Sequence, residues 1–290
     1  MKLYYSRLLF AFCMNWTANC LAEDVSSPAE KLDANKGSEF SWDVTIAMDL
    51  VSDVYILRGS EQKQAIDFID VAVLLDIYYR GFFIQTNKYR YGSYVDGLEL
   101  GYELAVNDEF EIYLISKEYF PAFSVRQAGS RFETDDEIEE LQGITERKYV
   151  SSQGIRYMRY LDNAVYWLDV AADIFEGYHK GWVIDGFYSY ILQYRNWDIN
   201  LGAGASFFSS QMNSYYFSVK PKEALDSRPV YDAGAGYRFQ LEAFAQRPIS
   251  ESWMFSGGVT ISHFSSSIAN SPLVKRRNAT RAQVGVRYVF

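Results

Sequence analysis

The chain has 290 residues, 49% hydrophobic and 17% aromatic, with 24 Tyr and 20 Phe. Net charge is -9 at pH 7, the isoelectric point is about 4.9 and mean hydropathy is -0.18. The acidic balance argues against a nucleic-acid partner, which needs a basic surface, and after the first 25 residues no apolar run approaches the roughly 20 residues of a membrane helix.

The N-terminus reads as a secretory signal over residues 1–22. Lys2 and Arg7 precede an apolar core, Leu8 to Met14, and Cys20-Leu21-Ala22 places small residues before Glu23-Asp24. Cleavage is expected after Ala22. A lipoprotein reading of Cys20 is the weaker one, because Thr17-Ala18-Asn19 lacks the Leu and the Gly or Ala expected before such a cysteine. Both cysteines, Cys13 and Cys20, lie inside the signal. The mature chain is therefore expected to use no disulfide, thiolate catalysis or Cys-ligated metal. Residues 23–40 are polar, with Ser26, Ser27, Pro28, Asn35 and Gly37, and read as a periplasmic tail.

From Ser41 onward, period-two segments alternate with turn signals. The first runs near Asp43–Leu57 and the second near Ala65–Tyr79, with Asp70 and Asp76 on its polar face. Arg80-Gly81 turns into Phe82–Tyr91. Leu98, Leu100, Tyr102 and Leu104 then alternate with Glu99 and Glu103, and Asn107-Asp108 turns into Glu109–Tyr119. A long polar loop spans about Pro121–Arg147. Tyr149–Leu161, the turn Asp162-Asn163 and a segment carrying Asp169 and Asp173 follow. Trp182–Tyr194, with Asp185, turns at Arg195-Asn196 into a segment with Asp198, Asn200, Gly202 and Gly204 on its polar face. A second loop covers about Ser210–Asp232. The tenth segment carries Arg238, Gln240 and Glu242, and the eleventh is Trp253–Phe264. A third loop, Ser265–Asn278, precedes the closing segment, Arg281–Phe290.

That last segment sets Val284, Val286, Tyr288 and Phe290 on one greasy face and Arg281, Gln283 and Arg287 on the other. Alone it fits a sandwich strand as well. A terminal Phe with an aromatic two residues earlier resembles the signal read by the barrel-assembly machinery. The twelve segments together decide: tight turns follow even-numbered segments and the long loops follow the fifth, ninth and eleventh. This sorting predicts a single all-β, antiparallel transmembrane barrel over residues 41–290, with short periplasmic turns and long outer loops. Ten strands would result if two segments were misassigned.

A charge in hydrocarbon is costly, so Asp70, Asp76, Glu99, Glu103, Asp169, Asp173, Asp185, Arg238, Glu242, Arg281 and Arg287 are expected to face the lumen. They fit either a packed, ion-paired interior, the preferred reading, or a charged pore. No HExxH, P-loop or zinc spacing occurs. His263, near Ser262, Ser265 and Ser266, invites a Ser-His reading. Its parity with Val259 and Ile261 instead places it at the lipid interface. His179 sits in a loop. The acidic run Glu133, Asp135, Asp136, Glu137, Glu139 and Glu140 reads as a solvated loop or short helix in preference to a cation site. No catalytic, cofactor-binding or metal-ligating residue is expected.

Gly129-Ser130-Arg131, Thr134-Asp135-Asp136 and Leu141-Gln142-Gly143 resemble the GR…DD…LxG stretch of the MipA/OmpV family of outer-membrane proteins. His179-Lys180-Gly181 resembles its HxG turn, and Ser214–Val219 followed by Tyr231–Gly236 resembles its YFGV region, with Ser218 where the family has Gly. Trp253, Ser271-Pro272-Leu273-Val274 and the aromatic C-terminus extend the match. The resemblance implies a non-enzymatic outer-membrane barrel of a Gram-negative bacterium. It further implies a scaffold for a lytic transglycosylase and a murein synthase, with a small-solute channel or an adhesin acting through the outer loops as the alternatives. Outer-membrane lipid, lipopolysaccharide and the barrel-assembly machinery are the other expected partners.

Overall fold

In the computed structural model, residues 40–61, 65–86, 98–107, 109–128 and 137–290 are described. The signal with its Ala22 cleavage site, nearly all of the tail, and Glu133, Asp135 and Asp136 with most of the first family-like stretch lie outside them.

Twelve antiparallel strands close into a barrel. They are β1 (Phe40–Val54), β2 (Ile69–Tyr79), β3 (Phe82–Thr86), β4 (Leu98–Val106), β5 (Glu111–Glu118), β6 (Ser151–Leu161), β7 (Ala164–Ala172), β8 (Trp182–Tyr194), β9 (Trp197–Phe208), β10 (Gly236–Pro248), β11 (Trp253–Phe264) and β12 (Asn278–Val289). Each pairs with its neighbours in sequence, and β12 returns to β1, with Thr45 opposite Val289 and Asp53 opposite Arg281. Closure leaves no barrel strand with an open edge.

The alternation read from sequence is the inside-outside alternation of the wall. Val183, Asp185, Phe187 and Ser189 of β8 are buried, while Trp182, Ile184, Tyr188 and Tyr190 are exposed. The outward residues form the apolar belt that hydrocarbon requires, with Leu, Val and Ile at mid-height. Aromatic rings gather at both ends of it. Trp42, Phe82, Trp253, Tyr288 and Phe290 stand at the short-turn end, and Trp182, Phe207, Tyr237 and Phe239 at the other.

The tight turn Arg80-Gly81 has φ of 47 and 91 at its two residues, the left-handed pair that matches the twist of a two-residue hairpin. Where the structure departs from expectation, backbone geometry gives the reason. The first strand starts at Phe40 and ends at Val54, and Tyr55-Ile56-Leu57 turns inward to be buried. Ala65–Phe68 forms a 3-10 turn instead of strand, and pairing with β1 begins only at Ile69, opposite Leu50. The long loops are folded. The loop after β9 contains helix α1 (Ser210–Phe217), whose start is capped by Ser209 accepting from Met212 N–H. The loop after β11 contains the single-turn helix α2 (Ser266–Ala269).

Candidate functional site: a filled lumen under a folded cap

The interior is layered. Uppermost, the outer loops pack over the barrel mouth around one apolar core. Ile56, Leu57, Phe120, Phe123, Leu141, Met212, Tyr216, Phe217, Ile268 and Leu273 are all at most 2% exposed. Phe120 is the hub, with its ring centroid 4.5 Å from Phe208, 5.0 Å from Tyr216 and 5.2 Å from Phe217.

Charged groups tie this cap together. Arg147 donates two bonds to the Glu223 carboxylate, at 3.1 and 3.0 Å, and others to the Thr145 and Ser218 carbonyls. Arg228 donates to the carbonyls of Glu140, Gln142 and Glu223. Burial pushes the Glu223 carboxyl up, but hydrogen bonds from Arg147, Thr145 and the Lys220 backbone prevail and hold it at about 2. Asp173, expected in the lumen, stands just past β7 and turns to the loop instead. It accepts the backbone N–H groups of Gly177, His179 and Lys180, since that tight loop leaves three donors without strand partners. Burial opposes ionisation of Asp173, yet these three donors lower its pKa. His179 is buried against Tyr215 and Tyr216, accepts from Gly181 N–H at Nδ1, and burial lowers its pKa against the pull of Asp173.

Below the cap lies a buried ion cluster spanning seven consecutive strands, β4 to β10. Arg156 sits at its centre. It donates to both oxygens of Glu99, at 2.5 and 2.8 Å, and to both of Asp169, at 2.7 and 2.9 Å. Lys117 lies 2.6 Å from Asp169 and 3.7 Å from Asp185. Ser206 donates to Asp185 at 2.6 Å and accepts from Arg238 at 3.0 Å. Asp169 and Asp185 face each other across the β7–β8 ladder, a like-charge pair that the cations between them make tolerable. Three carboxylates, Glu99, Asp169 and Asp185, balance three cations, Lys117, Arg156 and Arg238. All six are at most 8% exposed.

Further down, rings line the inner face of the wall. Trp167 and Phe187 pack at 4.9 Å beside Met158 and Val165. Phe187 lies over Gly202 and Phe244 over Gly258, and in both places a Cβ would fall within 2.5 Å of the ring. These glycines are the recesses into which the rings fit.

The remaining expected lumen residues lie nearer β1. Arg281 donates to Asp70 at 2.9 Å and lies 3.7 Å from Asp53. Glu242 is buried and accepts from Gln240. Glu103 accepts from the Tyr78 hydroxyl at 2.8 Å. Asp76 is half-buried opposite Gln85, and Arg287 is buried near the lower end. Sequence reasoning missed Arg156 and Lys117, the cluster's two central cations. Parity offered the signal: Ile155 and Leu114 face outward, so Arg156 and Lys117 face in.

His263 is exposed on the outer face and its Nδ1 lies 2.7 Å from Asn278 Oδ1, its cross-strand partner. Ser262 is buried on the opposite face. Of the acidic run, Glu139 and Glu140 begin a 3-10 turn with exposed side chains. Among the described residues, no group of three His, Cys, Asp or Glu could hold a metal.

Known proteins place this barrel. Outer membrane protein Omp26La of Vibrio anguillarum is 31% identical over 112 residues, which is 39% of this chain and 44% of that protein. Outer membrane protein OmpV of Vibrio cholerae is 33% identical over the same shares. The chain thus matches under half the length of either relative. Among solved structures, a loop-deletion mutant of Vibrio cholerae OmpT covers 87% of this chain and 99% of its own at 8% identity and a TM-score of 0.38. The NanC porin covers 84% and 98% at 6% identity and a TM-score of 0.37. Those scores add nothing to the geometry already described. A closed barrel with an apolar belt, whose relatives are outer-membrane proteins, is itself a protein of the outer membrane. The family model described as MltA-interacting protein MipA matches residues 55–290, from the end of β1 through all eleven strands that follow, and the chain belongs to that family.

Proposed function

We propose that the protein is a non-enzymatic, non-conducting barrel that anchors murein-processing enzymes at the outer membrane. The observation that carries this reading is the filling of the lumen. A charge-balanced cluster spans seven strands, rings line the wall beneath it and a folded cap lies above. A packed interior of this kind stabilises a wall and leaves little path for solutes. The family description names an MltA-interacting protein, which supports a lytic transglycosylase as the partner. The murein synthase follows by family resemblance alone.

The periplasmic face consists of short turns and the end of the chain leading into Phe40. The partner therefore binds the tail over residues 23–40, exposed when the signal is cut after Ala22, or the lower rim. Lipid and lipopolysaccharide surround the belt, and the assembly machinery reads Val284, Val286, Tyr288 and Phe290.

Two measurements test this. Purified protein in a planar bilayer is expected to give no unit conductance; steady single-channel steps would replace this reading with a small-solute channel. A pull-down from envelope extracts, with and without residues 23–40, is expected to enrich murein enzymes, and loss of enrichment without the tail would assign the partner to the tail over the lower rim. No enrichment of murein enzymes in either form would remove the scaffold.

A further inference from the structure

Among lipid-facing positions of the described strands, cationic side chains occur at only two, Arg159 of β6 and Arg247 of β10, both at the short-turn end. Arg247 shares the outward parity of Tyr237, Phe239 and Leu241 and is exposed. No carboxylate pairs with it among the described residues; its recorded contact is with the Trp197 ring, whose centroid lies 5.9 Å from the guanidinium carbon. Phe255, directly opposite Arg247 in the β10–β11 register, meets Trp197 edge-on at 6.0 Å. Pro248 and Ile249 complete a cleft of about 370 Å³. A second cation, Arg195, stands over the Tyr194 ring at 5.3 Å in the adjoining β8–β9 turn.

We propose that this cleft binds the headgroup of an anionic phospholipid in the periplasmic leaflet. The depth is right, because aromatic rings of the girdle mark the headgroup level. The chemistry is right as well. A guanidinium presents a planar fork that matches phosphate oxygens, and Arg247 keeps its donors free because it meets Trp197 through the ring face. Phe255 and Ile249 offer the apolar wall that the upper acyl chain needs. A cation on the lipid face is costly in hydrocarbon and becomes favourable only beside an anion at the interface. The outer leaflet, with its lipopolysaccharide, lies at the opposite end of the barrel from this cleft.

The test uses the full mature chain in phosphatidylcholine bilayers doped with brominated phosphatidylglycerol or, in parallel, brominated phosphatidylcholine. The difference in quenching between the protein and its Trp197→Phe variant isolates the signal of Trp197. The expected result is an enrichment of phosphatidylglycerol near Trp197 of about fivefold, the effect of one cation at an anionic surface. Arg247→Gln is expected to abolish the preference and Arg247→Lys to keep part of it, with heat-modifiability on gels showing that both variants are folded. Equal quenching by the two lipids, or an unchanged preference in Arg247→Gln, would overturn the proposal. So would displacement of the lipid by millimolar inorganic phosphate, which would make this a site for a soluble anion. None of these outcomes depends on whether the lumen conducts or on which enzyme is recruited.

Discussion

Arg156 in the wall and Arg147 in the cap are both buried arginines, and they bond to different kinds of acceptor. Every bond recorded for Arg156 goes to a carboxylate, two to Glu99 and two to Asp169. Arg147 divides its bonds between Glu223 and the carbonyls of Thr145 and Ser218, and Arg228 uses carbonyls throughout. The difference follows from the backbone. In the wall, strand ladders already occupy the N–H and C=O groups, so a buried cation must be met by side-chain anions. In the cap, irregular loops leave carbonyls over, and one arginine both satisfies them and joins distant segments. The wall therefore needs balanced charges, whereas the cap needs few.

The largest consequence concerns Arg156→Met, which among the described residues leaves buried Glu99 with no cation and Asp169 with Lys117 alone. Removing one partner of such a group costs about 3–5 kcal/mol. The whole barrel is expected to unfold at lower urea concentration in lipid vesicles, and wild-type stability in this variant would show that the cluster is merely tolerated. Arg147→Met strands Glu223 at a cost of about 3 kcal/mol, but confined to the cap. Proteases are expected to cut within 137–147 and 218–232 while the barrel keeps its heat-modifiable mobility. Joint loss of cap and barrel would mean that the two regions fold as one unit.

Gly202→Val drives a side chain into the Phe187 ring and Glu242, and overpacking of this kind costs about 1–3 kcal/mol. A lowered unfolding midpoint would show that the lower lumen is tightly filled, and an unchanged one would indicate spare room. Smaller again is Arg281→Ala with Arg287→Ala at the seam between β12 and β1. The Arg281 contacts with Asp70 and Asp53 are partly exposed and contribute about 1 kcal/mol. The seam is expected to loosen, and unchanged heat-modifiability together with unchanged conductance would count against a filled interior.

At neutral pH the Glu223 carboxyl is ionised and its titration has no effect. Its folded pKa, about 2, lies below the ordinary 4.5, so its contribution is complete above 4.5 and is lost as pH falls toward 2. Protease protection of the cap is expected to weaken across that window, and Glu223→Gln to remove this part of the pH dependence. A cap equally protected at both ends of the window would show that the pair contributes little.

Much of this architecture was legible in the residues. Alternation marked Trp182–Tyr194 and Trp253–Phe264 with their observed limits, and the sorting of tight turns and long loops gave twelve strands and a closed sheet. Both signals are local. Alternation reflects two faces of one strand in two solvents, and turn chemistry reflects two or three backbone angles. Strand ends were less legible, because Val54 stops pairing where the chain bends into the cap, and no residue near it announces the bend.

The cap is legible in sequence only as three long loops and is a folded unit, since its apolar residues are scattered from Tyr55 to Val274 without period and meet only in space. The interior charges were legible as a set and illegible as pairs. Parity states that Glu99, Asp169 and Asp185 face inward, and the β6–β7 hairpin sets Asp169 directly opposite Arg156, but Glu99, two strands from Arg156, and Asp185, three strands from Lys117, come within reach only when the wall curves around them. The sequence thus settled the solvent each face meets, because that depends on alternate residues alone. Curvature of the closed sheet chose the partners beyond the adjacent strand, because a buried charge takes whichever opposite charge the wall places within about 3 Å.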